Sequence, residues 1–156
     1  ASSAIHRADI SRLGEWLDAS GFAPDIVVAG ELIEHLEHPL GFLRSIRAIG
    51  RLQGKTLILT TPNATALHNC LIGLTSREST HHDHLGIFSY KTLHTLCSRA
   101  GFESWEILPY VARFTEMKSR NAGFRHALIR GAEKVINMTE WLCPMMSFGY
   151  LVKVRI

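Results

Sequence analysis

Cysteine is scarce: Cys70, Cys97 and Cys143 stand far apart in 156 residues, with no CxxC pair. That excludes a disulfide framework or a zinc ribbon and fits a reducing, cytoplasmic setting, with each thiol read as a small buried hydrophobe. No run of about 18 apolar residues occurs, which excludes a membrane-spanning helix. The opening Ala1-Ser2-Ser3-Ala4-Ile5-His6-Arg7 has no apolar signal core. No GxGxG stretch is present. Net charge is only +3, too little to argue for nucleic acid. What is there is 46% hydrophobic and 20% charged, which excludes a disordered tail or a collagen-like repeat. Histidine is plentiful, at nine, and its placement is informative.

The chain reads as alternating strands and helices. Residues 5–10 are the end of a strand running into a loop, and residues 11–19 form a short helix with Ser11 at its N-cap. Residues 25–29 are a β-branched run closed by Gly30. Apolar on both faces, it suits a central strand of a parallel sheet. Residues 31–36 follow as a helical turn. Pro39 begins a helix in which Leu40, Leu43, Ile46 and Ile49 recur at helical spacing, with Gly50 and Gly54 at its end. Residues 55–61 are a second buried strand, stopped by Pro62-Asn63, and residues 64–80 are a small, polar connection holding at most one helix. Residues 89–100 are an amphipathic helix with Gly101 as C-cap. Residues 102–108 and 148–156 are the third and fourth strands. Residues 111–143 between them read as helical and basic, through Lys118, Arg120, Arg125, Arg130 and Lys134. That stretch is a solvated face, a lid over an anionic substrate, or a membrane-surface helix. The alternation is an α/β pattern. Ligands of such sheets bind at the carboxyl ends of strands, where Asp9, Gly30-Glu31 and Thr61-Pro62-Asn63 fall.

Taken in order, Asp25-Ile26-Val27-Val28-Ala29-Gly30-Glu31-Leu32-Ile33-Glu34-His35-Leu36, Pro39-Leu40-Gly41-Phe42-Leu43, Gly54-Lys55-Thr56-Leu57-Ile58-Leu59-Thr60-Thr61-Pro62-Asn63, His84-Leu85-Gly86-Ile87-Phe88-Ser89-Tyr90 and Leu96-Cys97-Ser98-Arg99-Ala100-Gly101-Phe102-Glu103 resemble the second half of a class I S-adenosylmethionine-dependent methyltransferase. The resemblance implies a Rossmann-like α/β sheet over residues 5–156: fourth strand, helix, fifth strand, helix, then an antiparallel sixth and seventh pair. The family's glycine-rich loop after its first strand, where backbone must approach the cofactor closely, is not in the sequence. Neither is the acidic residue closing its second strand. Residues 1–156 therefore read as the C-terminal part of a single methyltransferase domain, with 111–143 a helical insertion or lid. A missing N-terminal half or a partner chain is expected, and this stretch alone should bind the cofactor poorly. The resemblance implies S-adenosylmethionine as cofactor. It puts Asp9, with Ile10 beside it, at the adenine, and Ala29, Gly30 and Glu31 along the cofactor.

Glu31, Glu34 and His35 lie at i, i+3 and i+4, which puts them on one face of a helical turn. Two carboxylates and an imidazole can then converge on one cation. One histidine of Thr80-His81-His82-Asp83-His84 could complete a mixed site, its oxygens suiting magnesium or manganese and its nitrogens favouring manganese, cobalt or zinc. The arrangement resembles two metal-dependent branches of the family, the ubiquinone-biosynthesis O-methyltransferases and the small-RNA terminal 2′-O-methyltransferases. That resemblance implies Glu31, Glu34, His35 and His84 as ligands. A similar Glu-His pair also resembles metal-free members, where it caps the helix and orders the pocket wall. His35 or His84 reads equally well as a general base. On every account the catalytic candidates are His35, Glu34 and His84.

Methyl transfer to an oxygen of a small molecule is the leading expectation. The alternatives are a metal-dependent RNA 2′-O-methyltransferase and a non-catalytic methyltransferase-like scaffold module. Residues 64–80 carry few basic residues and no aromatic stacking platform, which argues against nucleic acid. The apolar and basic stretch 111–143 fits a sugar or lipid-intermediate substrate, and a peripheral membrane contact, better.

Overall fold

The computed structural model describes residues 10–78, 80–111 and 123–156. The strand expected at residues 5–10, except Ile10, and Asp9 with it, lie outside the described residues, as does much of the first half of 111–143. The elements run α1 (Leu13–Ser20), β1 (Ile26–Gly30), α2 (Pro39–Ala48), β2 (Thr56–Pro62), α3 (Leu67–Gly73), α4 (Tyr90–Ala100), β3 (Trp105–Tyr110), α5 (Gly123–Leu142) and β4 (Gly149–Arg155). This is the α/β sequence expected, with the alternation broken only where α3 and α4 follow one another between β2 and β3.

Local chemistry accounts for the boundaries. Pro39 occupies the first turn of α2, where its fixed φ is pre-set for a helix and its missing N–H is not needed. Ser89 opens α4 with a capping box: its side chain accepts from the Thr92 N–H, and the Thr92 hydroxyl accepts from the Ser89 N–H. Gly101 closes α4 in the left-handed region at φ 85°. The Phe102 N–H then returns to the Cys97 carbonyl at 3.3 Å, which draws Phe102 into the core. β3 accordingly starts at Trp105, three residues later than the sequence suggested, and runs on to Tyr110. Pro109 is tolerated because β3 is a sheet edge. At the other end, Ser11 does not cap α1. A 3-10 turn, Ile10–Arg12, precedes the helix, and Arg12 takes the N-cap position, its side chain pairing with Glu15 and making no capping bond. β2 does not stop before Pro62 but carries it as the last residue, opposite Gly149.

The four strands form one sheet in the order β1-β2-β4-β3. β1 and β2 are parallel, with Ile26 opposite Thr56 and Gly30 opposite Thr60. β4 is antiparallel to both β2 and β3, slotted between them. The register puts Ala29, Leu59, Val152 and Ile107 on one face, all buried. Leu17 of α1, Leu43 and Ile46 of α2, and Leu93 and Cys97 of α4 close over that face, each at most 2% exposed. Burial of each large side chain there contributes roughly 1.5–3 kcal/mol.

The opposite face corrects an expectation. β1 is not a central strand among the described residues: it is an edge, and Ile26 and Val28 are 56% and 67% exposed. Among the described residues no helix covers its apolar outer face. A further correction concerns cysteine. Only Cys97 is buried; Cys70 and Cys143 are exposed, because α3 and the end of α5 lie outside the core. Trp16 and Trp105 pack against the core, whereas Trp141 is 78% exposed.

Candidate active site

β1 ends at Gly30, and the chain reverses through Glu31, whose φ is +48°. Both the Thr60 carbonyl (3.0 Å) and the Thr60 hydroxyl (3.1 Å) accept from the Glu31 N–H, which fixes this non-glycine residue in the left-handed region. A 3-10 turn, Ile33–His35, follows. The expected helical face carrying Glu31, Glu34 and His35 together is therefore not formed. The left-handed residue turns Glu31 away from the other two, and its carboxylate accepts from the Tyr110 hydroxyl at 3.2 Å.

Glu34, His35 and His84 do come together: one ligand atom of each lies within 4.8 Å of the others. Glu34 is 1% exposed. Its Oε2 accepts from the buried Thr61 hydroxyl at 3.0 Å, and its Oε1 is buried with no partner among the described residues. His35 and His84 meet edge to face, with ring centroids 4.7 Å apart. The loop that delivers His84 is tied to the 3-10 turn: Leu85 and Gly86 N–H groups donate to the Glu34 carbonyl at 2.7 and 3.1 Å. His35 Nδ1 lies 3.0 Å from the Asp83 carbonyl. A carbonyl only accepts, so Nδ1 carries a proton, and in the neutral ring Nε2 is the nitrogen with the lone pair. The result is one carboxylate oxygen and two imidazoles converging past the carboxyl end of β1. Such a set can hold a divalent cation or move a proton. With Glu31 turned away, it is richer in nitrogen than the sequence suggested, which favours manganese, cobalt or zinc over magnesium. His81, His82 and Asp83 form a second group, fully exposed and bound mainly to itself, with His82 Nε2 3.1 Å from Asp83 Oδ1.

Tyr110 is a site residue that the sequence reading missed. It stands at the carboxyl end of β3, and ending that strand at Leu108 hid it. Its ring lies across Gly149, where an added Cβ would come within 2.5 Å of the ring and hydroxyl. Burial, and then the adjacent Glu31 carboxylate, holds its phenol well above the usual range. Tyr110 therefore remains a hydroxyl donor to Glu31 across the sheet's carboxyl edge. The only advance signal was an aromatic at a strand end followed by a glycine in the pairing strand.

The remaining expectations divide. Gly30 and Glu31 are exposed at the carboxyl edge, while Ala29 sends its side chain into the core. Ile10 lines a small hollow of about 280 Å³ with Leu36, Gly41 and Phe42, rather than sitting with Ala29–Glu31. Asn63 is wholly buried, donating to the Met145 and Ser147 carbonyls and accepting from Thr65, which makes it a structural tie. A roomier hollow of about 400 Å³ lies between Thr56, Trp105 and Lys153, at the opposite edge of the sheet.

A family model described as a methyltransferase domain matches residues 4–107 of the sequence. No curated protein matches it significantly. Among solved structures, the fold is similar to a SAM dependent methyltransferase from Archaeoglobus fulgidus, 16% identical with a TM-score of 0.55, over 97% of this chain and 66% of that one. It is also similar to the small RNA methyltransferase HEN1, 15% identical with a TM-score of 0.57, over 95% of this chain and 15% of that one. The chain thus spans about two-thirds of the first relative and a small part of the second. At these identities the likeness is one of fold.

Proposed function

This chain belongs to the methyltransferase domain family, and on that premise we propose that it serves S-adenosylmethionine-dependent methyl transfer to an oxygen of a small molecule. The observation that carries the oxygen acceptor is the cluster past β1: buried Glu34 beside two imidazoles, one with its Nε2 lone pair directed by the Asp83 carbonyl on Nδ1. Such a group is suited to taking a proton from a hydroxyl, and a hydroxyl acceptor needs that help more than an amine does.

The methyl donor would run along Gly30 and Glu31. Tyr110 steadies the Glu31 carboxylate at that edge. The family's glycine-rich turn is not in the sequence, so these residues supply one wall of a donor site. When bound, S-adenosylmethionine would supply an electrophilic methyl group, the acceptor oxygen bonding to the methyl carbon as the carbon–sulfur bond breaks and the sulfonium leaving as a neutral thioether. The hydroxyl proton passes to His35 Nε2. Glu34, held by Thr61, stands beside the imidazoles and balances the positive charge that appears there. His84 packs on His35 and limits its rotation.

A divalent cation fits the same donors, because Glu34 Oε1 is buried and without a partner among the described residues. Glu34, His35 and His84 would hold it. The cation would supply stronger acidity for a bound hydroxyl. The RNA and scaffold readings rest on fewer observations.

The test has two parts. Calorimetric titration of S-adenosylhomocysteine, with and without manganese, measures donor-site binding. Transfer of labelled methyl groups to a panel of hydroxylated acceptors measures turnover. Replacing Glu34 and His35 together by alanine should abolish turnover while leaving S-adenosylhomocysteine affinity within about threefold. Full turnover in that double variant would remove the cluster from the mechanism. Metal-dependent heat that disappears in Glu34→Ala would establish the cation, and transfer to RNA alone would replace the acceptor class.

A further inference from the structure

The outer side of α5 is an apolar face with no partner among the described residues. Val135, Met138, Trp141 and Leu142 recur at three- and four-residue spacing and are 57%, 56%, 78% and 63% exposed. Four large apolar side chains on one helix face, led by a nearly free indole, are uncommon on a surface that meets only water. Leu71 of α3, which packs beside α5, and Leu74 just after it are also exposed.

The charge on α5 is sorted by face. Its two acidic residues point inward: Glu133 is half-buried and Glu140 is 4% exposed. Burial raises the Glu140 carboxyl, and the Phe148 N–H is the group that holds it. Its two cations C-terminal to Ala127, Arg130 and Lys134, are exposed. Lys134 lies four and seven residues before Met138 and Trp141, so it shares their side of the helix. The exposed face thus carries two positive charges, a tryptophan and three large apolar side chains, with no carboxylate.

We infer that this face seats the protein on an anionic lipid bilayer, with α5 lying in the plane of the headgroups. The exclusion of both carboxylates from the face, with lysine and arginine kept on it, complements an acidic leaflet. Trp141 would sit at the headgroup boundary, and Lys134 would reach its ammonium past the apolar groups to the phosphates. None of the described helices is long and apolar enough to cross a membrane, so the contact is one of surface. The inference stands apart from the methyl-transfer reading and draws on none of its residues.

Co-sedimentation with vesicles tests it, comparing pure phosphatidylcholine with phosphatidylcholine containing phosphatidylglycerol, at low and high salt. The purified protein should partition onto the anionic vesicles, with a blue shift in tryptophan emission, and should be released by salt. Arg130→Gln with Lys134→Gln should weaken partition by about thirtyfold, two surface cations' worth. Met138→Ser with Trp141→Ser should weaken it by more than about tenfold and remove the emission shift. Both pairs are exposed, so their circular dichroism and melting should match the parent. Absence of binding to anionic vesicles, binding unchanged by both variants, or equal binding to neutral vesicles overturns the inference. So does a concentration-dependent dimer that Trp141→Ser abolishes without any lipid binding, which would assign the face to a second copy.

Discussion

Thr61→Val isolates the contact that orients the candidate site. Valine matches threonine in shape, so the wholly buried position keeps its packing and loses only the hydroxyl. That hydroxyl is the partner Glu34 has among the described side chains, donating to Oε2 at 3.0 Å, while Oε1 already has none. Without it, a carboxylate that is 1% exposed is left with neither oxygen satisfied. A hydrogen bond to a charged group is worth about 1.5–3 kcal/mol. For a chain of this length each kcal/mol moves the melting temperature by about 2–4 °C. The expected loss is therefore about 3–12 °C, measured by circular dichroism melting and checked by urea denaturation. A double-mutant cycle sharpens the test. In a Glu34→Leu background the same Thr61→Val change should be nearly neutral or stabilising, because both polar partners are then gone. A single variant melting within about 1 °C of the parent would refute the reasoning. So would a cycle with no coupling, since the hydroxyl would then matter for some other reason.

Other consequences can be measured in the same way. Gly149→Ala should cost about 1–3 kcal/mol in a denaturant titration, because its Cβ would sit 2.5 Å from the Tyr110 ring. The Cys97 thiol, pushed up to about 11 by burial, should resist a thiol reagent at pH 8 until the protein unfolds, while exposed Cys70 and Cys143 react at once. Burial also lowers the His68 imidazole. Its folded form therefore resists protonation, so stability held above about pH 6.5 is lost as pH falls through the lowered value. His68→Phe should flatten that acid limb in melting curves taken from pH 7 to 5, and an unchanged limb would place the proton elsewhere.

Much of this was legible in the residues. The apolar run before Gly30, the Pro39 helix start, and the Ser89 and Gly101 caps are local signals, and the structure honours each within a residue or two. Short spacing joined Glu34 and His35, the family resemblance singled out His84 from a later histidine-rich loop, and the structure brings one ligand atom of each within 4.8 Å of the others. What failed depended on a backbone state or a distant partner. The i, i+3, i+4 reading of Glu31 assumed a regular helix, whereas two bonds from Thr60 hold Glu31 at φ +48°. Tyr110 is 79 residues from Glu31, and no pattern along the chain announces a contact across a sheet edge. Exposure of Ile26 and Val28 was hidden because an apolar strand reads alike whether both of its faces are covered or one.

The position of β4 bears on how the molecule comes into being. It is the last of the four strands in sequence order, yet it hydrogen-bonds on both sides, to β2 and to β3. On a ribosome, β2 and β3 emerge with no strand to join them, and the sheet closes only when residues 149–155 arrive. Until then Leu59 and Ile107 wait at open edges where another nascent chain could pair. The sheet therefore closes only once residues 149–155 have been made, and a chain broken shortly before them would yield two unlinked strand sets in place of a weakened domain. The same arrangement frees the stretch between β3 and β4. Lengthening a loop costs only logarithmically in closure entropy, so this stretch can change in length and character while the strands that flank it keep their register.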